Sequence, residues 1–252
     1  MAELKLPTEE VSLPSKGLLY PKDSPLSAGK ISMKYMTARE EDILTNSNFI
    51  RQGTVIDKLL QSLIVTPINY DELLIGDKNA ILIAARVLGY GQEYSFKYNN
   101  ERGQELEATV DLSKLEEKKI DESLFKAGTN SFTFALPKSG NTVTFKLLTH
   151  GDEKKIDAEI KGLKKINPNG SYDITTRFKH MITSVNGDSE QKSIRDFVDN
   201  YLLAPDARAL REYYTKVQPD IEMKFIPEDD SYTGEGIAIP ISLNFFWPDA
   251  GV

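Results

Sequence analysis

Apolar and polar positions change their rhythm several times along the chain, and each change marks an element. The first stretch carries Pro7, Pro14, Pro21 and Pro25. Proline fixes its own φ and pushes the residue before it into extended conformations. Residues 1–29 therefore read as an extended arm, studded with Val11, Leu13, Leu18, Leu19 and Tyr20 and lying along something. "KISMKYM" (30–36) alternates like a strand. Thr37 and Glu40 then form a capping box, which predicts a helix over 38–46. Val55, Leu59, Leu60 and Leu63 recur at helical spacing until Pro67. A third helix opens at Asp77 and runs through "NAILIAARVLG", with Gly89 as its expected stop. Being apolar almost all round, it should be central. "EYSFKY" and "QELEATVDL" read as a hairpin turned at "NNERG".

The charged segment 113–130 is the candidate linker. Beyond it, "SFTFALPKSGNTVTFKLLT" predicts a second hairpin. Thr149 and Asp152 repeat the capping start, with a helix to about Lys165. Further helices are expected over "DITTRFKHMITS", "SIRDFVDNYL" and "DARALREYYTKV", with Ser193 and Asp206 as N-caps. An acidic loop (227–236) should separate strand 221–226 from strand 237–247. The fold class is α+β: helical bundles with β-hairpins, divided into the arm, an N-terminal module (30–112), the linker and a C-terminal module (131–252).

The halves echo one another. "LPSKG" (13–17) answers "LPKSG" (136–140), and "KISMKYMTAREED" (30–42) answers "TVTFKLLTHGDEK" (142–154). Lys34 then matches Lys146, Thr37 matches Thr149, and Glu40 matches Asp152. Two duplicated strand–helices–hairpin modules would produce this. So would unrelated strand-to-helix junctions, which look alike because caps have common chemistry. Both readings stand at this stage.

Composition narrows the chemistry. The 252 residues include no cysteine and only two histidines, His150 and His180, thirty positions apart. Disulfides, Cys-ligated zinc, iron–sulfur clusters and thiol nucleophiles are excluded. No phosphate loop, nucleophile elbow or zincin motif occurs, and paired acids such as Glu40–Glu41 are explained by helix starts. A net charge of −7 argues against nucleic-acid partners. No apolar run approaches the roughly 20 residues of a membrane helix, and "MAELKLPTEE" has no secretory pattern. The expectation is a non-enzymatic protein of a cytoplasm, without cofactor, metal or small-molecule ligand.

What remains is surface for protein partners. "LNFFWPDAGV" (243–252) holds the only tryptophan. In a strand, Phe245 and Trp247 would share one face and Phe246 the other. One face can pack inward while the other meets a partner. The residues expected to touch partners are Leu13, Leu18, Leu19 and Tyr20 in the arm and Phe245, Phe246, Trp247 and Pro248 at the end, because aromatic and apolar anchors dominate interfaces.

"LPSKGLLYP", "GKISMKYMTAREEDIL", "GTVIDKLL", "DKNAILIAARVLGYG", "DNYLLAPDARALREYYTKVQPDIEMKF" and "PISLNFFWP" together resemble the baseplate hub family of T-even-like contractile-tailed bacteriophages. The resemblance covers nearly the whole chain. It implies a baseplate component or hub-assembly protein that contacts hub, tube, wedge or tape-measure proteins, first in the host cytoplasm and then in the virion tail. The alternative role is an assembly chaperone, for example for the tape-measure protein, absent from the mature virion. Members of the family can carry Cys-x-x-Cys knuckles in their hairpins. "YNNERGQE" and "IPEDDSYTGEG" have no cysteine, so no zinc is carried over.

Overall fold

The computed structural model describes residues 6–100, 103–227, 234 and 236–246. The arm begins as β1 (Thr8–Ser12), which pairs antiparallel with β2 (Lys30–Lys34) so that Val11 faces Ile31. The loop between them is closed by glycines with positive φ. Gly17 has φ 75°, and a Cβ there would sit 2.4 Å from the Ser27 carbonyl oxygen, so only glycine fits. The helices α1 (Ala38–Leu44), α2 (Ser47–Gln52) and α3 (Val55–Leu63) follow. The expected helix over 38–46 is thus shorter, because Asn46 accepts from the Asn48 and Phe49 amides and opens α2 instead. Ile64 then bridges back to Met33, and the Val65 N–H donates to the Ser32 carbonyl at 2.8 Å.

α4 (Ile75–Tyr90) is the buried central helix. It outruns its expected stop: Gly89 lies within the helix, where a Cβ would meet Met36 Cε at 2.8 Å, and the turn out is made at Gly91. Glycine here allows close packing, not termination. β3 (Glu93–Asn99) and β4 (Glu105–Asp111) form the expected hairpin. Segment 113–130 touches both sides of the molecule. Lys16 pairs with Glu122, the Gly128 N–H donates to Leu18 O, and Glu117 bridges to Ile221.

In the second half β5 (Phe132–Ala135), β6 (Thr142–Phe145) and β7 (Ile182–Val185) form a three-stranded antiparallel sheet in the order β5-β6-β7. α5 (His150–Ile166) and α6 (Asp173–Met181) lie between β6 and β7. The helix expected to continue through Ser184 stops at Met181, because the β-branched run Ile182–Thr183 joins the sheet. α7 (Gln191–Asn200) and α8 (Ala204–Val217) start earlier than expected. Ser193 and Asp206 therefore lie inside these helices and are not their caps. Pro205 sits in the first turn of α8, where its missing N–H costs nothing.

The closing strands are also corrected. β8 (Lys224–Phe225) and β9 (Ile237–Ala238) are two residues each, and the aromatic stretch is a helical turn, α9 (Leu243–Phe246). Pro240 has no N–H for a ladder, which ends the strand early.

The sequence echo has local counterparts in the structure. In both halves an LPxxG turn ends the first strand of a hairpin. Lys34 on β2 binds Glu40 at 2.8 Å, and Lys146 just past β6 binds Asp152 at 2.7 Å. Both carboxylates belong to capping boxes. α3 and α6 are nine residues each, and the residue after each helix, Ile64 or Ile182, pairs with Met33 or Phe145. "LLIGD" then opens α4 and "LLAPD" opens α8, and a short hairpin follows each. These matches reach well beyond the caps. α7 has no counterpart in the first half.

Candidate functional site

The third residue of α4 is Asp77, and it is fully buried. Its carboxylate accepts from Ser15 N–H at 2.9 Å, Ser15 Oγ at 2.7 Å and the Tyr20 hydroxyl at 2.6 Å. The Tyr20 oxygen in turn accepts the Leu74 N–H at 2.9 Å, one of the orphan amides at the helix start. Burial pushes the Asp77 carboxyl above its ordinary range, against the pull of Tyr20 and Ser15, and burial also raises Tyr20. Asp206 is the twin. It takes the Lys138 N–H at 2.6 Å and the Ser139 N–H at 3.0 Å. Burial opposes its ionisation, but the donors of Ser139 and Lys138 win and its pKa is lowered. Each aspartate thus clamps the LPxxG turn of its own half onto the helix that follows.

Part of the arm therefore belongs to the chain's own interior. Leu13, Leu19 and Tyr20 are buried and Leu18 is half-buried. Phe245 and Phe246 are wholly buried, and Phe245 meets the ring of Tyr94 edge-on at 4.8 Å. A helical turn makes this possible, since neighbours about 100° apart can both face inward. Tyr94 also donates to Pro240 O at 2.9 Å. Trp247 and Pro248 lie outside the described residues. Leu13, Leu19, Tyr20, Phe245 and Phe246, all expected to face partners, are thus packed within the chain itself.

Arg86 holds the base of the same hairpin. It is 3% exposed, and its guanidinium donates to Gly91 O at 2.7 Å and Glu93 O at 2.9 Å. Burial lowers its pKa.

A second polar cluster joins the halves. The strand-like bridge between Leu74 and Thr149 is extended by Ile75 N–H to Leu148 O and His150 N–H to Leu73 O. The buried His150 ring packs edge-on against Tyr70 at 4.7 Å. Lys78 Nζ lies 3.2 Å from His150 Nδ1 and 2.6 Å from Asp57. The ammonium can donate only to an unprotonated Nδ1, which puts the imidazole proton on Nε2, 3.6 Å from Asp57 Oδ2. Burial and the Lys78 charge lower the pKa of His150. Among the described residues no group of three or more His, Asp or Glu is placed to hold a metal, and no helix is long and apolar enough to cross a membrane.

The titratable groups described so far serve internal connection: carboxylates receive turn amides, cap helices or tie the halves together. Residues 7–204 match the family described as T4 bacteriophage base plate protein, and the chain belongs to that family. No curated protein and no solved structure gives a match.

Proposed function

We propose that this chain is a non-enzymatic structural subunit of the baseplate hub, joining hub, tube, wedge or tape-measure neighbours and remaining in the virion tail. The observation that carries the reading is the family match across residues 7–204. The investment of Asp77, Glu40, Asp152 and Asp206 in internal hydrogen bonds supports a scaffold over a catalyst. At the arm and the aromatic end, direct contact falls to Leu18, Trp247 and Pro248. Leu13, Leu19, Tyr20, Phe245 and Phe246 serve these segments from inside, by fixing them.

Quantitative mass spectrometry of purified particles tests the role. Stoichiometric presence is expected. Absence from particles together with abundance in infected cells would make the chain an assembly chaperone. A chain ending at Phe246 tests the contact residues while leaving both buried rings in place. Normal incorporation of that truncated chain would remove Trp247 and Pro248 from the interface.

A further inference from the structure

The two halves differ at one matched junction. In the first half α3 packs directly on α4, with Leu59 0% and Leu82 7% exposed. Counting from Ile64 and Ile182, Arg177 stands where Leu59 stands. Counting from Asp77 and Asp206, Arg211 stands where Leu82 stands. The corresponding junction of α6 and α8 is a cleft of about 320 Å³, lined by Leu148, Ile174, Phe178 and Tyr214 and by these two arginines. Leu148 and Phe178 are buried, while Ile174 is 58% exposed.

The arginines are not equivalent. Arg177 is satisfied, donating to both oxygens of Glu153 at 2.6 and 2.9 Å. Arg211 lies over the Phe178 ring at 5.9 Å and, among the described residues, has no carboxylate partner. The cleft therefore combines an apolar wall with one uncompensated cation. A guanidinium is suited to bidentate capture of a carboxylate. We propose that this cleft docks a segment of a neighbouring tail protein, which inserts an aliphatic side chain against Ile174 and Phe178 and sets an adjacent carboxylate on Arg211. The segment would supply from outside what Leu59 and Leu82 supply within the first half. A second copy of this chain is a poor occupant, because two bodies of net charge −7 repel.

This inference rests on the reading as a structural subunit, and the test separates the two. The full chain carries p-benzoylphenylalanine at Ile174, or at the exposed Lys192 of α7 as background, in cells assembling the phage. Crosslinks are read in those cells and again in purified particles. The expected product joins residue 174 to another tail protein, at a peptide with an aliphatic residue beside Asp or Glu. Arg211→Glu should lower that crosslink and the chain's incorporation about tenfold, the effect of losing one charge-assisted contact. Its unfolding midpoint should not change, since Arg211 is exposed. Lys192→Glu should leave crosslink and incorporation unchanged. No crosslink above the Lys192 background, a crosslink to a second copy, or a crosslink indifferent to Arg211→Glu would overturn the docking site. Stoichiometric particles would then still support the structural role. The expected crosslink in cells, with the chain absent from particles, would keep the docking site and overturn the structural role.

Discussion

At the scale of single residues, the fold depends on a few polar side chains with no access to water. Asp77→Ala leaves the Ser15 N–H, the Ser15 hydroxyl and the Tyr20 hydroxyl without their acceptor in the interior. Each buried unsatisfied donor costs about 1–3 kcal/mol, so a loss of at least about 2 kcal/mol is expected in equilibrium urea unfolding. A loss below about 0.5 kcal/mol would show that the clamp contributes little. Asp77 and Asp206 stand out in the sequence only as acids near helix starts. Their acceptor role was hidden because Ser15 lies 62 positions from Asp77 and Lys138 lies 68 from Asp206. The pairing of "LPSKG" with "LLIGD" and of "LPKSG" with "LLAPD" was the signal that could have exposed both.

At the scale of elements, local chemistry was legible where a cap or a period dominates. The boxes at Thr37 and Thr149, the stripe of α3 and the hairpin β3–β4 were all readable. Elements set by tertiary contacts were not. Gly89 resembles a helix stop but accommodates Met36, and residues 243–246, read as part of a strand, turn as a helix so that both phenylalanines reach the core. The buried ring at Phe245 makes this last element a core component. Phe245→Ala should cost about 3–5 kcal/mol in urea unfolding, as for other buried phenylalanines. A cost under about 1 kcal/mol would contradict that burial.

At the scale of the molecule, the echo of the halves left duplication and look-alike caps equally open, but the α+β class could be read ahead of any structure from the order of short motifs. The open α6–α8 junction could not, because it depends on how two helices are spaced. Nor could the polar joint between the halves, which has a pH signature. His150 has a lowered pKa in the folded chain, so the unfolded chain takes up its proton first. Its contribution is complete above the ordinary histidine value of 6.5 and is lost as pH falls through the lower folded value. Wild type should therefore lose more stability than His150→Gln as pH drops from about 7.5 to about 5.5, while the raised Asp77 carboxyl acts in the opposite direction in both chains and leaves the difference in slope to His150. An unchanged slope in the variant would assign the loss to another group. Glu40 does not intrude. Burial works against its charge, but Lys34, Thr37 and Ser62 outweigh burial and hold it at about 2, so its contribution is lost only below its ordinary 4.5.

The pairing of Leu74 with Thr149 also sets an order of events at the ribosome. The start of α4 receives its main-chain partners from Leu148 and His150, residues made long after the helix itself. A nascent first half can close its turn on Asp77 but still shows a bare backbone edge at Leu73–Ile75 until the sixth strand and the turn beyond it have left the exit tunnel. Translation thus acts as a timer: the main-chain edge at Leu73–Ile75 stays open until about three-fifths of the chain, through His150 of 252 residues, has emerged from the ribosome.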